Sequence, residues 1–508
     1  MLDKEKDKKK KKHSKSANKT VKVKTHKAPF EFEYSDAPES RDIVKIKERN
    51  LLYINGQWQE PSEGSFFPTL NPADGEVLAE VAEASAADVD KAVQAARKAY
   101  EGTWSKIPAH ERGKYIFRIA RILQERAREF AVLETLDNGK PIKESRDVDI
   151  PLVASHFFYN AGWADKLDYA FPGHKVTPIG VAAQVIPWNF PLLMAAWKIA
   201  PALATGNCVV LKPAETTPLT ALLLAEVIEQ AGLPPGVVNI VTGAGKTGAA
   251  LVNHPDVNKV AFTGSTEVGR IIAKAVAKTN KKLTLELGGK SAHIVYEDAA
   301  IDQAVEGVVN GIFFNQGHVC CAGSRLLVEE SIAKDFVEKL KERMSQIRVG
   351  DPLDKNTDVG AINSHRELEK IRGFINEAKE EGWEYFSASA TELPGKGFFQ
   401  KPCFFNDVGS AASIFRQEVF GPVLAISTFR TPQEAISKAN DTPYGLAAGV
   451  WSEKASKIQK TALGLKAGVI WANTYNKFDP SSPFGGYYES GWGREGGRHG
   501  LFPYVEVQ

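Results

Sequence analysis

At 508 residues the chain is longer than one ordinary hydrophobic core can serve, so two or more domains are expected. An apolar content of 43% and a charged content of 25% are those of a soluble globular protein, and no run is apolar and long enough to span a bilayer. Charge is unevenly placed: residues 1–27 hold 12 Lys and 3 acidic residues, a net of +9, whereas the remainder sets 52 Lys and Arg against 59 Asp and Glu, a net of −7.

The basic tail lacks the apolar run of a signal peptide and the Arg-bearing amphipathic pattern of a transit peptide, so residues 1–28 read as a solvated, disordered extension. Docking of this tail on nucleic acid or on an anionic membrane surface is the unspecific alternative. Four cysteines, Cys208, Cys320, Cys321 and Cys403, stand at no paired spacing. That argues against a disulfide scaffold and against a metal site, and it fits a reducing, cytoplasmic setting.

Taken in order, the segment 28–50 mixes Phe30, Phe32 and Tyr34 with charge and is expected to lie along the surface of the body. Residues 51–58 read as a hairpin turning at Asn55-Gly56. Ser85 to Asp88 has the form of a capping box, after which Val89, Ala92, Val93 and Ala96 share one helical face. Ile116, Ile119, Ala120 and Leu123 repeat that spacing, and a further helix stops at Asn138-Gly139, with Pro141 just beyond. None of these helices carries an evident catalytic group.

From Val181 the texture changes to alternation. Strands are expected at Val181–Ile186, Cys208–Leu211, Val237–Val241, Lys259–Phe262 and Leu283–Leu285, with helical runs near 191–205, 218–231, 246–253 and 266–278. This spacing predicts an α/β, doubly wound parallel sheet that binds ligands beyond the carboxyl ends of its strands. A second αβ region follows Gly289, with a strand at Ala292–Tyr296 and a helix over Asp302–Phe314. The division expected is a cofactor domain of residues 46–160 and 179–287 and a catalytic domain of 288–483. Short bridging or oligomerisation segments, 161–178 and 484–508, complete it.

Two stretches carry the chemistry. In Phe313 to Arg325, adjacent Cys320 and Cys321 sit between glycines, where a thiolate can be approached. Taken alone, two buried inert cysteines would be the better reading. The case changes because Leu285-Glu286-Leu287-Gly288-Gly289 lies upstream and offers a carboxylate after a short apolar strand, a candidate general base. Together the two stretches resemble the aldehyde dehydrogenase superfamily, and the likeness runs from about Leu51 to Glu506. The family motif places Cys320 as the nucleophile, three residues after Gly317. His318 departs from the usual Gln or Glu, and either tunes the thiol or packs.

The resemblance implies the remaining roles. The Asn189 amide and the Cys320 N–H would hold the oxyanion, although Asn189 could equally be a turn residue. Glu286 would activate water, which sets this chain apart from acylating members that generally lack that glutamate. Lys198 and Glu495 match positions that relay protons in some members. The implied cofactor is NAD. Lys212 and Glu215 would hold the adenosine ribose, and a carboxylate there would repel a 2′-phosphate; a surface ion pair is the plain alternative. Trp188 and Ser265, next to Gly264 at a helix start, would face the pyrophosphate. Glu418 would take the nicotinamide ribose, and Phe420 would pack by the ring.

Met194, Trp197, Phe314, Phe478 and Phe484 are expected to line an apolar tunnel for an uncharged aldehyde. A catalytically idle scaffold on the same fold is the alternative of another class. The segment from Phe30 to Ser40 and the abrupt ending are loosely similar to a subfamily with two fused units, which would make a second such chain a partner. Only Lys166–Pro178 is available for a bridging hairpin, and only Leu501–Gln508 for a terminal strand. A homodimer or monomer is therefore expected, and not a tight tetramer.

Overall fold

The computed structural model describes residues 35–508, so the Lys-rich tail and the Phe30, Phe32 and Tyr34 cluster lie outside the described residues. The segment from Asp36 to Asn50 is laid on the body. Pro38 bridges to Asp354, Glu39 pairs with Arg128 and Lys355, and Arg49–Asn50 runs parallel to Glu80–Val81. The hairpin forms as its turn chemistry requires. Asn55 (φ 55°) and Gly56 (φ 72°) are both left-handed, the pair that matches strand twist. Ser85 and Asp88 close a complete capping box, and Val89, Ala92, Val93 and Ala96 are buried behind it. The helix Ala127–Asn138 ends on left-handed Gly139.

The first large sheet has eight strands. Its centre is five parallel strands: β1 (Val181–Val185), β2 (Cys208–Lys212), β3 (Val238–Ile240), β4 (Lys259–Thr263) and β5 (Lys282–Glu286). They lie in the order β3-β2-β1-β4-β5, so the winding reverses between β1 and β4. At such a reversal the connections leave in opposite directions and open a crevice above the strand ends. β2, β3 and β4 are buried throughout, as parallel strands covered on both faces must be. Gly491–Trp492 adds an antiparallel edge beside β5, and the 52–59 hairpin closes the far edge.

The second sheet has seven strands, parallel except for the edge strand Glu384–Ser387. One face packs a separate core around Ile294, Tyr296, Leu327, Phe405 and Phe415. A third, two-stranded sheet pairs Val505–Val507 with Val176–Pro178 of the same chain, over a small cluster of Ala170, Phe171, Leu501 and Val505. No helix among the described residues is long and apolar enough to cross a membrane.

Candidate active site

Three strand ends and one loop from the second half converge on one cavity. Glu286 is the last residue of β5 and stands opposite Thr263, the last of β4. β1 runs into Pro187-Trp188-Asn189-Phe190, which leads directly into helix α1 (Pro191–Ala204), with proline at its first position. Asn189, Glu286, Thr263 and Cys320 all line the cavity.

The loop that brings Cys320 there is conformationally costly. After the helix Ile301–Phe313, Asn315 (φ 48°), Gln316 (φ 54°) and Gly317 (φ 76°) are left-handed in succession. At Gly317 a Cβ would stand 2.2 Å from the Gly421 carbonyl oxygen, so only glycine fits. Non-glycine residues in this region cost about 1–3 kcal/mol each unless their surroundings fix them. Here the fixing is explicit. The Asn315 side chain donates to the Asn189 carbonyl (2.8 Å), the Asn315 N–H donates to Glu144 (2.9 Å), and Gln316 donates to the Ala361 carbonyl (3.0 Å). The Asn189 amide in turn donates to the His318 carbonyl at 2.8 Å, so the two loops are laced together and Asn189 is no free turn residue. An amide nitrogen carries two protons, and the second takes no part in that bond.

Of the four cysteines, Cys320 is the one that is not buried. The adjacent Cys321 thiol, and then burial, hold the Cys320 thiol well above its ordinary range. The His318 side chain packs. Its ring stacks on Phe420 at 5.8 Å and meets Trp188 edge-on at 4.7 Å, and neither ring nitrogen has a partner. Burial pushes this imidazole down to about 3, so it stays neutral.

Glu286 is 4% exposed, and neither of its carboxylate oxygens has a hydrogen-bond partner. Burial first, and then the negative charge of Glu495, push its pKa far above the ordinary carboxylate range. Lys198 is within 2.6 Å of both Glu495 oxygens and donates to Thr263 Oγ1 at 2.7 Å, which places this ion pair beside the β4–β5 strand ends.

Trp188, Gly264, Ser265, Glu418 and Phe420 also line the cavity. Lys212 and Glu215 do not. They stand at the end of β2, the next strand along, 3.5 Å apart, with Lys212 buried and Glu215 exposed. Ser265 caps helix α2 (Thr266–Val276) by accepting from the Val268 N–H. Gly264 and Ser265 line the cavity, so this helix begins at its wall, and a helix N-terminus is the kind of end that can hold a pyrophosphate. Glu418 accepts from the Gly289 N–H at 3.0 Å, and a Cβ on Gly288 would meet its carboxylate at 2.1 Å. Burial raises Glu418 to about 7.

On the other side Met194, Trp197, Phe314, Phe478 and Phe484 all reach the cavity. Trp197, Phe478 and Phe484 contact one another at 5.4–6.4 Å between ring centroids. Sequence reasoning missed Val148 and Leu152, which also line it. Val148 lies within, and Leu152 just after, a π-helical turn, Ser145–Asp149, that shifts the helical register, so a search at 3.6 residues per turn does not place them. Glu367 and Lys370, on the helix His365–Glu380, are further missed wall residues. Among the described residues no group of His, Cys, Asp and Glu could hold a metal ion.

Comparison with known proteins decides the family. The model described as "Aldehyde dehydrogenase family" matches residues 58–508. The chain belongs to the aldehyde dehydrogenase family. This aldehyde dehydrogenase is 46% identical over 473 residues to the mitochondrial aldehyde dehydrogenase of Homo sapiens, covering 90% of this chain and 91% of the human one. To the mitochondrial benzaldehyde dehydrogenase of Antirrhinum majus it is 47% identical over 468 residues, covering 90% and 88%. Among solved structures, the NAD+ complex of an aldehyde dehydrogenase from Bacillus cereus superposes with a TM-score of 0.89 at 40% identity, covering 93% of this chain and 99% of that one. The chain is thus an oxidoreductase acting on aldehydes, on the two-sheet α/β fold that the alternation of strands and helices predicts.

Proposed function

We propose that Cys320, Asn189 and Glu286 carry out the NAD-dependent oxidation of an uncharged aldehyde to its carboxylic acid. The observation that carries this reading is the cavity itself. It joins the one cysteine that is not buried to a carboxylate with two unpartnered oxygens and to an amide with a proton to spare. Cys320 gives its thiol proton to water, its thiolate sulfur attacks the aldehyde carbon as the carbonyl π bond opens, and the resulting thiohemiacetal oxyanion accepts from the Asn189 amide and the Cys320 N–H. NAD, when bound, supplies the two-electron acceptor that turns this adduct into a thioester on Cys320. Glu286 then takes a proton from water as its oxygen adds to the thioester carbonyl, and the acid leaves as the sulfur is released. Lys198 and Glu495 stand behind Glu286 to pass the proton on. Mixing the protein with NAD and a panel of uncharged aliphatic and aromatic aldehydes, and following NADH, tests the proposal. The idle-scaffold reading requires that no aldehyde give NADH.

Trp188, Gly264, Ser265, Glu418 and Phe420 are assigned to the cofactor, and Lys212 and Glu215 to its adenosine ribose. Glu215→Ser is expected to weaken NAD binding about tenfold, the worth of a charged hydrogen bond, and to strengthen NADP binding by relieving repulsion. Fluorescence titrations with both cofactors check this, and an unchanged preference would show that Glu215 does not reach the ribose.

The assembly we infer is a homodimer or monomer. The terminal strand Val505–Val507 is three residues long and already paired within its own chain, and its partner strand ends at Pro178, which has no N–H to donate. Light scattering after size exclusion is expected to give a dimer or monomer; a tetramer that persists at sub-micromolar concentration and in high salt would refute this. Four unpaired thiols support a cytoplasmic setting. A second aldehyde dehydrogenase-like chain as partner, and polyanion contact through the Lys-rich tail, are carried by the sequence alone.

A further inference from the structure

Lys259 is a fully buried lysine at the start of β4, remote from the strand ends that carry the chemistry. β4 and β5 run in register, with Lys259 beside Lys282, Ala261 beside Thr284 and Thr263 beside Glu286. Side chains alternate along a strand, so these six share one face, and Gln184 of β1, beside Ala261, shares it too. The Lys259 ammonium donates to Thr284 Oγ1 at 2.8 Å and lies 4.9 Å from the Tyr504 ring centroid. Gln184 donates to the Lys198 carbonyl (2.8 Å) and to the Tyr504 hydroxyl (3.3 Å). The Lys198–Glu495 pair closes the row at the Thr263 end. A polar row thus runs under the sheet from Glu286 in the cavity to Lys282, which pairs with Glu506 at 3.1 Å where the row meets solvent.

Charge balance gives this row a purpose. Lys198 and Glu495 cancel one another, so an ionised Glu286 adds a negative charge to a dry site. The other ionisable groups that face this region are the Cys320 thiol, the Tyr504 hydroxyl, Arg494 and Lys282. Arg494, held by the Gly486 and Gly493 carbonyls, keeps its charge and draws the Glu286 carboxyl down from one side. Lys259 is a second positive charge, on the same face of the sheet as Glu286. Burial first pushes its ammonium down to about 7, against the pull of Glu495 and with the push of Lys198 and Lys282.

We propose that Lys259 is a positioning residue for the hydrolytic half of the reaction: acting through Glu495, its ammonium balances the charge that Glu286 acquires as a base. The proposal rests on reading Glu286 as that base. Losing the ammonium removes stabilisation from ionised Glu286, so the carboxyl pKa rises further and ionisation moves to higher pH.

The test uses the full chain. In protein without added cofactor, infrared difference spectra against Glu286→Gln report the Glu286 carboxyl directly across pH. Lys259→Met is expected to move that titration up by about one unit and Lys259→Arg to leave it near wild type. In the Glu495→Gln background, Lys259→Met should add little. With NAD and propanal, Lys259→Met should keep the initial NADH burst, and the acid limb of its steady-state rate should move up by the same unit, about tenfold in rate on that limb. A carboxyl titration unmoved in Lys259→Met, or a shift that is undiminished without Glu495, overturns the proposal. If Lys259→Met does not fold, Thr284→Val, which keeps the amine and removes its anchor, should shift the titration the same way but less, and no shift overturns it. A shifted titration with steady-state turnover that does not depend on Glu286 would instead sink the base assignment, not the link between Lys259 and Glu286.

Discussion

Cys320→Ala is expected to abolish NADH formation, a fall of about 10⁴-fold or more, as loss of a covalent nucleophile commonly gives. Cys321→Ser should keep most of the activity. The two thiols are neighbours in sequence but not in circumstance. Both border the cavity, but Cys321 is fully buried, its sulfur 3.9 Å from Asn476 Oδ1 and its carbonyl bonded to the Tyr475 hydroxyl at 2.7 Å, whereas Cys320 is part-exposed there. Removing one sulfur from a part-exposed position leaves the lacing of Asn189, Asn315 and the His318 carbonyl in place, so loss of activity in Cys320→Ala should come with an unchanged melting temperature. Alkylation offers a second readout. A small electrophile should label wild type and Cys321→Ser once, and Cys320→Ala not at all, because Cys208, Cys321 and Cys403 are buried. Equal loss in both variants would count against the assignment, and full turnover in Cys320→Ala would end the covalent mechanism.

What the sequence made legible was local. The five central strands fall within a residue or two of their apolar runs, because a parallel strand covered on both faces must be apolar along its length. The hairpin, the capping box and the Gly139 stop follow from φ preferences and side-chain reach over a few residues. What was illegible depended on contacts between distant segments. Lys259 opens the expected strand Lys259–Phe262 with nothing local to mark it as buried, and only the β4–β5 register and the cover of Tyr504 bury it. His318, ambiguous as a tuner of the thiol, packs against Trp188 and Phe420, which come from segments 130 residues before it and 102 residues after it. Asn189 could be weighed only as a turn residue or an oxyanion donor until its bond to the His318 carbonyl was seen. Phe420 itself adopts φ 59°, which a sequence pattern does not announce for an aromatic residue.

Glu286→Gln should separate the two halves of the reaction. Its amide keeps the size of the carboxyl but takes no proton from water, so the chain should form the thioester and then stall. Rapid mixing with NAD and aldehyde should show a burst approaching one NADH per active site, followed by a steady state lower by about 10²-fold or more, the usual worth of a positioned base. Intact-mass spectra of the stalled protein should carry one acyl group on Cys320. The same substitution makes a stability forecast with a definite sign. The folded-state pKa of Glu286 is raised, through burial first and then Glu495, so the wild-type protein is penalised as pH rises above the unfolded carboxyl value toward the folded one. Glutamine has no such ionisation. Glu286→Gln should therefore melt close to wild type in acid and above it at neutral pH and beyond. A slow, linear trace with no burst would place Glu286 before hydride transfer. A melting difference that does not grow with pH would mean that the carboxyl is not held neutral by burial at all.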